Sequence, residues 1–203
     1  MFYFYEEWVS VSSTLVRELM RRQNYEDAKK YLNSEVHEML NNIYKEGNLN
    51  MAKDTLPVID ISDGINNFRG EHEFLSNFYN AVVNYNGITY LNNEAAFQAQ
   101  KVLDDEAKLE FQNLTPNKAK RLGRKVQLRP DWENVKVDIM YEIVRAKFAQ
   151  HPELQEKLIE TNNTPLYEGN TWNDYFWGVC KGKGKNNLGQ ILMKVRSELL
   201  NKR

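Results

Sequence analysis

Near the C-terminus, Leu188, Ile191, Leu192, Val195 and Leu199 recur every three or four residues, behind Asn186 and Asn187, either of which can cap a helix. This pattern constrains the fold more than any other in the chain. A helix with one apolar stripe is stable only when that stripe is buried against another element. Trp132 to Gln150 supplies a second long helix, with Val135, Ile139, Ile143, Ala146 and Phe148 as candidate core residues. Shorter helices are predicted over Glu94 to Leu103, Asp105 to Asn113, Thr115-Pro116 to Leu122 and Pro152 to Thr161. Ala81 to Tyr90 mixes Val, Tyr, Ile and Thr around Asn86-Gly87, the signal of two short strands joined by a tight turn. Residues 68–203 therefore read as a mostly helical α+β domain with a few short antiparallel strands.

Composition supports such a core. The chain has 203 residues, one domain of ordinary size plus an extension, with 41% hydrophobic and 12% aromatic residues. Its 27 basic and 28 acidic residues give a net charge of -1, so no overall field draws it to nucleic acid or anionic lipid, and any basic site is local. Cys180 is the single cysteine, which rules out an internal disulfide framework and fits a cytoplasmic setting. His37, His72 and His151 are scattered and the acids are not clustered at ligand spacing, so neither a metal nor an organic cofactor is expected. No run of about 18 apolar residues is present, so no membrane-spanning helix is expected. The opening MFYFYEEWVSVSS lacks the basic and long apolar regions of a signal peptide.

Residues 1–50 form a separate, helical N-terminal extension in this reading. Asn24 is a candidate cap, Leu32, Val36, Met39, Leu40 and Ile43 recur at helical spacing, and Gly47 is a candidate stop. Ser10 to Arg22 suits another, shorter helix, and such a pair packs on the main domain or on a second subunit, which would make a homo-oligomer. Residues 51–67 read as a linker, with a short apolar stretch from Leu56 to Ile61 that suits a strand.

Three segments carry polar groups suited to chemistry. In NEAAFQAQK, Glu94, Gln98 and Lys101 lie at i, i+4 and i+7 and so share a helix face, which fits a solvated surface stripe as well as a site. Phe74 to Tyr79 sets large apolar side chains around Ser76 and Asn77, either a capped buried turn or a surface that stacks a flat ring. From Thr171 to Gly189 come two tryptophans, Asp174, then Gly178, Gly182 and Gly184 interleaved with Lys181, Lys183 and Lys185, then a helix N-terminus. This is either a flexible loop or a phosphate cradle. It is not a Walker A loop, because Asn186 follows Lys185 where Ser or Thr is required. Cys180 lacks a neighbouring histidine and is a poor candidate nucleophile.

In this order and spacing the segments resemble the YbiA-like, or NADAR, N-glycosidase family. The matching blocks are FLSNFY from Phe74, EAAFQAQK from Glu94, Leu122-Gly123-Arg124, Arg145 to Phe148, NDYFWG from Asn173, and Gly184 to Gly189 continuing through Leu192 to Arg196. The likeness spans roughly residues 68–200. Many members carry histidine where this chain has Ala95, and the stretch at Val179-Cys180-Lys181 is often acidic and glycine-rich in the family.

The resemblance implies a predominantly helical NADAR fold and cleavage of the bond between ribose C1′ and a nitrogen. Some members act on ribosylamino intermediates of riboflavin synthesis, and others remove ADP-ribose from guanine in nucleic acid. For this chain ADP-ribosylated guanine is the favoured substrate, with a phosphorylated ribosylamino-heterocycle as the alternative. A binding module for NAD or ADP-ribose and an interaction protein working through its N-terminal helices are the non-catalytic readings. On the catalytic reading Lys101 is the central group, with Glu94 and Asp174 as acid/base and charge-stabilising partners. Trp177 and Phe78 stack the base, and Arg196 and the lysine loop bind phosphate. Ser76, Asn77, Gln98, Gly178, Lys185, Asn186 and Gly189 complete the substrate-binding set.

Overall fold

The computed structural model describes residues 56–202. The helices predicted within residues 1–50, and the self-association assigned to them, lie outside the described residues. After a 3-10 turn at Gly70–Leu75 come β1 (Val83–Tyr85) and β2 (Ile88–Tyr90). The helices α1 (Asn93–Ala99), α2 (Asp105–Leu109), α3 (Pro116–Leu122), α4 (Trp132–Gln150) and α5 (Pro152–Glu160) follow. Three two-residue strands, β3 (Gly169–Asn170), β4 (Val179–Cys180) and β5 (Lys183–Gly184), precede the last helix, α6 (Asn187–Leu200). No described helix is long and apolar enough to cross a membrane.

The two long helices behave as their stripes require. Ile139, Ile143 and Phe148 of α4 and Leu188, Ile191, Leu192 and Val195 of α6 are buried in one core, with Val135, Ala146 and Leu199 packed at its edge. Asn86 and Gly87 take φ of 52° and 80°, the left-handed conformation that a two-residue hairpin turn demands, and β1 pairs antiparallel with β2. The second sheet is mixed: β4 pairs antiparallel with β5 but parallel with β3. Two of the short helices, α1 and α2, stop sooner than their sequence suggests, whereas α3 ends at Leu122 as expected. Chain predicted as helix to Leu103 leaves the α-helix after Ala99, and Lys101 N–H reaches back only three residues, to Gln98 O at 3.2 Å.

Residues 56–67 are tied to this frame. Val58 bridges Lys183, Ile59 N–H donates to Gly182 O at 2.8 Å, and Ile65 bridges Leu166. The glycine- and lysine-rich stretch is accordingly a hairpin, with Lys181 and Gly182 at its turn (φ 53° and 72°).

Beneath the Phe74–Phe78 segment lies Lys147 of α4, only 1% exposed. Its Nζ donates to Phe74 O at 2.5 Å and to Ser76 O at 3.0 Å. No carboxylate among the described residues compensates, and burial pulls its pKa from 10.5 down to about 7. Between those values the unfolded chain holds a proton that the folded chain has released. This residue therefore adds stability as pH rises above about 7, and that contribution is lost as pH falls back through it. Thermal melts at about pH 7 and about pH 9.5 should show a gain in Tm for the wild type that Lys147→Met reduces. Equal gains in the two proteins would mean that Lys147 is not held neutral.

Candidate active site

A cavity of about 740 Å³ opens between α1, α3, the start of α4, the Ser76–Phe78 segment and the Glu168–Trp177 segment. Helix α1 is the wall that brings charge into it. Asn92 caps this helix by accepting from Ala95 N–H at 2.8 Å, and Glu94 N–H donates to Asn77 O at 3.0 Å, which fixes α1 against the loop. All seven residues of α1 are buried. The polar stripe thus faces the cavity rather than bulk solvent: Glu94 is 7% exposed, Gln98 is 6% exposed, and both line it with Lys101.

Gln98 Nε2 donates to Glu94 Oε1 at 2.9 Å, and Lys101 Nζ donates to Gly123 O at 3.1 Å. Burial pushes the Glu94 carboxyl above the usual range, opposed by Gln98, Lys120 and Lys101 and reinforced by Asp174. Burial lowers the Lys101 ammonium, opposed by Glu94 and reinforced by Arg124 and Lys120. Carboxyl and amine are both moved toward their neutral forms, and a neutral amine is a nucleophile. Asp174 is oriented by backbone: its Oδ1 accepts from Trp177 N–H at 2.8 Å and from Phe176 N–H at 3.2 Å.

Aromatic rings form another wall. Phe97 meets Trp132 at 5.0 Å between centroids and Trp177 edge-on at 5.3 Å. Phe78 and Trp172 lie exposed on the lining, with Lys120 Nζ 5.7 Å from the Phe78 centroid and Arg69 Cζ 5.9 Å from that of Trp172. Arg124 and Lys136 add two more cations. Lys136 is already paired with Glu133 at 2.6 Å.

Of the residues singled out in the sequence, Ser76, Asn77, Phe78, Glu94, Gln98, Lys101, Asp174 and Trp177 come together on this cavity. Gly178, Lys185, Asn186, Gly189 and Arg196 are not among its lining residues, and all but Lys185 have a structural occupation. A Cβ on Gly178 would lie 2.2 Å from Glu168 O. Asn186 Oδ1 accepts from Glu168 N–H at 3.0 Å while its Nδ2 donates to Leu166 O at 2.9 Å. Gly189 is buried in the first turn of α6. The Arg196 guanidinium donates to Thr161 Oγ1 at 2.6 Å and Thr164 O at 2.8 Å. Lys185 is exposed, with Nζ 5.5 Å from the Phe176 ring centroid. At the α6 N-terminus, two of the N–H groups that a phosphate cradle would use are taken by backbone carbonyls. Leu188 N–H donates to Trp177 O at 3.0 Å and Asn187 N–H to Phe176 O at 3.4 Å.

Other lining residues were given no site role from the sequence, although Arg124 lies in one of the matching blocks. Asn117, Lys120 and Arg124 are spaced so that they share one side of α3 and its end, a signal that was present but unremarkable among surface lysines. Glu168, between Tyr167 and Gly169, belongs to no periodic pattern.

Comparison with known proteins places this architecture. The model of the NADAR domain matches residues 66–200. The chain belongs to the NADAR family. N-glycosidase YbiA of Escherichia coli (strain K12) is 42% identical over 128 residues, covering 61% of this chain and 79% of that protein. Riboflavin biosynthesis protein VVA0006 of Vibrio vulnificus is 40% identical over 134 residues, 63% of this chain and 36% of that one. The NMR structure of Escherichia coli YbiA superposes with a TM-score of 0.62 at 38% identity, covering 71% of this chain and 90% of that one. Within this NADAR domain Ala95 is buried and off the cavity lining, as are Val179 and Cys180 of β4, while Lys181 is exposed at the hairpin turn and also off the lining. The two departures from the family pattern noted in the sequence therefore fall outside the cavity wall.

Proposed function

We propose that this NADAR domain is a hydrolase of N-glycosyl bonds that cleaves the C1′–N bond of a phosphorylated riboside. The activity class is supported by family membership and by the 42% identity to N-glycosidase YbiA. One observation carries the chemistry: Glu94 and Lys101 face the same aromatic-walled cavity, and burial displaces both toward their neutral forms. Breaking C1′–N builds positive charge on the sugar, which the oriented Asp174 carboxylate stabilises. The neutral Lys101 amine attacks C1′ as the nitrogen leaves. The adduct ring-opens to a Schiff base, which water hydrolyses to free sugar and lysine, with Glu94 shuttling protons. Trp177 and Phe78 stack the flat heterocycle.

Phosphate falls to Lys120 and Arg124, which line the cavity and have no ion-pair partner among the described residues. This replaces the role given to Arg196 and the loop lysines. Lys120→Ala should raise KM about tenfold for a 5′-phosphorylated substrate and leave KM for the unphosphorylated riboside unchanged, since a charge-assisted bond contributes about 1.5–3 kcal/mol. An equal rise for both substrates would remove Lys120 from phosphate binding.

Two phosphorylated ribosides compete as substrate. A ribosylamino-heterocycle phosphate is favoured by the kinship with N-glycosidase YbiA and a riboflavin biosynthesis protein. ADP-ribose on guanine keeps one specific support: Trp172, 52% exposed on the cavity beside Arg69, suits stacking of a second base. Either substrate fits a cytoplasmic enzyme. Incubating the protein with each and measuring freed sugar phosphate or ADP-ribose separates them, and binding of both without release would make the domain a recognition module.

A further inference from the structure

Three acids line the cavity, and Glu168 differs from the other two. Glu94 accepts a hydrogen bond from Gln98, and Asp174 Oδ1 accepts two backbone N–H groups. Glu168 Oε2 is shielded from solvent and has no hydrogen-bond partner among the described residues. A buried polar atom left unpaired costs free energy that a bound ligand can recover.

The backbone of Glu168, by contrast, is fixed from two sides. Its N–H donates to Asn186 Oδ1 at 3.0 Å and its carbonyl accepts from Val179 N–H at 2.9 Å. Gly178 packs against that carbonyl so closely that no side chain fits there. Asn186 and Gly178 thus contribute to the site without touching the cavity, by holding the residue that does. A rigid backbone carrying an unsatisfied carboxyl into a reaction cavity is a positioned proton donor or acceptor.

We infer that Glu168 is the general acid of the reaction, delivering its carboxyl proton to the nitrogen that departs from C1′. The inference rests on the N-glycosidase reading. As the C1′–N bond breaks, its electron pair passes to nitrogen, which takes the Glu168 proton. C1′ gains the attacking nucleophile, and solvent returns a proton to Glu168. The role is the same whether Lys101 or water attacks.

The surroundings supply the required protonation. Burial raises the Glu168 pKa to about 8, and the neighbouring charges of Asp174 on its loop and Glu94 on α1 add to it, against Lys120 on α3. The folded protein therefore holds this proton through neutrality, whereas the unfolded chain releases it near 4.5. Stability from this group is present below 4.5 and is lost as pH rises through about 8.

Glu168→Gln keeps the shape and cannot give up a proton. Its kcat on the ribosylamino-heterocycle phosphate should fall by about 10²–10⁴-fold with KM little changed, and the alkaline limb of the wild-type rate profile should disappear. A riboside phosphate with a leaving group that needs no proton, such as p-nitrophenolate, should lose little rate. A variant with the wild-type rate and alkaline limb would overturn the inference while leaving the N-glycosidase reading intact. A wild type inert toward every riboside would overturn that reading, and melting curves then decide on Glu168 itself. From about pH 5 to about pH 9 the wild type should lose Tm relative to the variant, whereas a constant difference would contradict a protonated acid here.

Discussion

Lys101→Met should abolish turnover while leaving the fold in place. Methionine keeps the length and apolar stem of lysine, so packing beside Trp132, whose ring centroid lies 5.8 Å from Nζ, survives. Only the hydrogen bond to Gly123 O is lost from the local structure. Chemically the change removes the one amine on the cavity that burial, Arg124 and Lys120 together push toward its neutral form. Loss of a nucleophile that acts in concert with its partners costs about 10³-fold or more in kcat. Borohydride added during turnover should fix a sugar on the wild-type protein, read as a mass increase, and leave the variant unmodified. Near wild-type rates for Lys101→Met, or an adduct on a different residue, would take the nucleophile role away from Lys101.

Gly178→Ala should damage stability and activity together. The added Cβ would lie 2.2 Å from Glu168 O and 2.8 Å from Asn170 Nδ2. The first contact is with backbone, so no rotamer change relieves it and the strand frame must move. Overpacking of this kind costs about 1–3 kcal/mol, or roughly 5 °C in Tm for a chain of this size. The same frame carries two acids of the site: Glu168 through its own backbone, and Asp174 through Asn170, whose Nδ2 donates to Asp174 O at 2.8 Å. Activity should therefore fall even at temperatures where the variant stays folded. An unchanged kcat in a folded Gly178→Ala protein would show that the frame does not govern those carboxyls.

Much of this fold is legible in the sequence where a local pattern has a local cause. Helix α4 begins and ends where its periodicity does, and the Asn86-Gly87 turn follows from the φ values those residues tolerate. The polar stripe on α1 marks the limit of that reasoning. Spacing places Glu94, Gln98 and Lys101 on one face, but whether water or a cavity meets that face depends on the Ser76–Phe78 and Glu168–Trp177 segments, which pack from elsewhere in the chain. The basic glycine-rich stretch misleads for the same reason. Pairing of β4 with β5 makes it a hairpin that residues 57–59 bind, and the carbonyls of Phe176 and Trp177 occupy the N–H groups of Asn187 and Leu188. Arg196 is claimed by Thr161 and Thr164, and no sequence rule announces that pairing. Glu168 is the reverse case. Nothing around it in sequence marks it, and only burial without a partner does.

The central claim, that this cavity breaks a ribose C1′–N bond, is tested most directly by chromatography of the products. The protein is incubated with a ribosylamino-heterocycle phosphate or with guanine-ADP-ribosylated DNA, and the sugar and base are quantified separately. One of the two should react, giving free sugar phosphate and free heterocycle in equal amounts, or ADP-ribose and an equal amount of unmodified guanine in the DNA, at a rate that Lys101→Met and Glu168→Gln each depress. Saturable binding of both with neither product formed would contradict it.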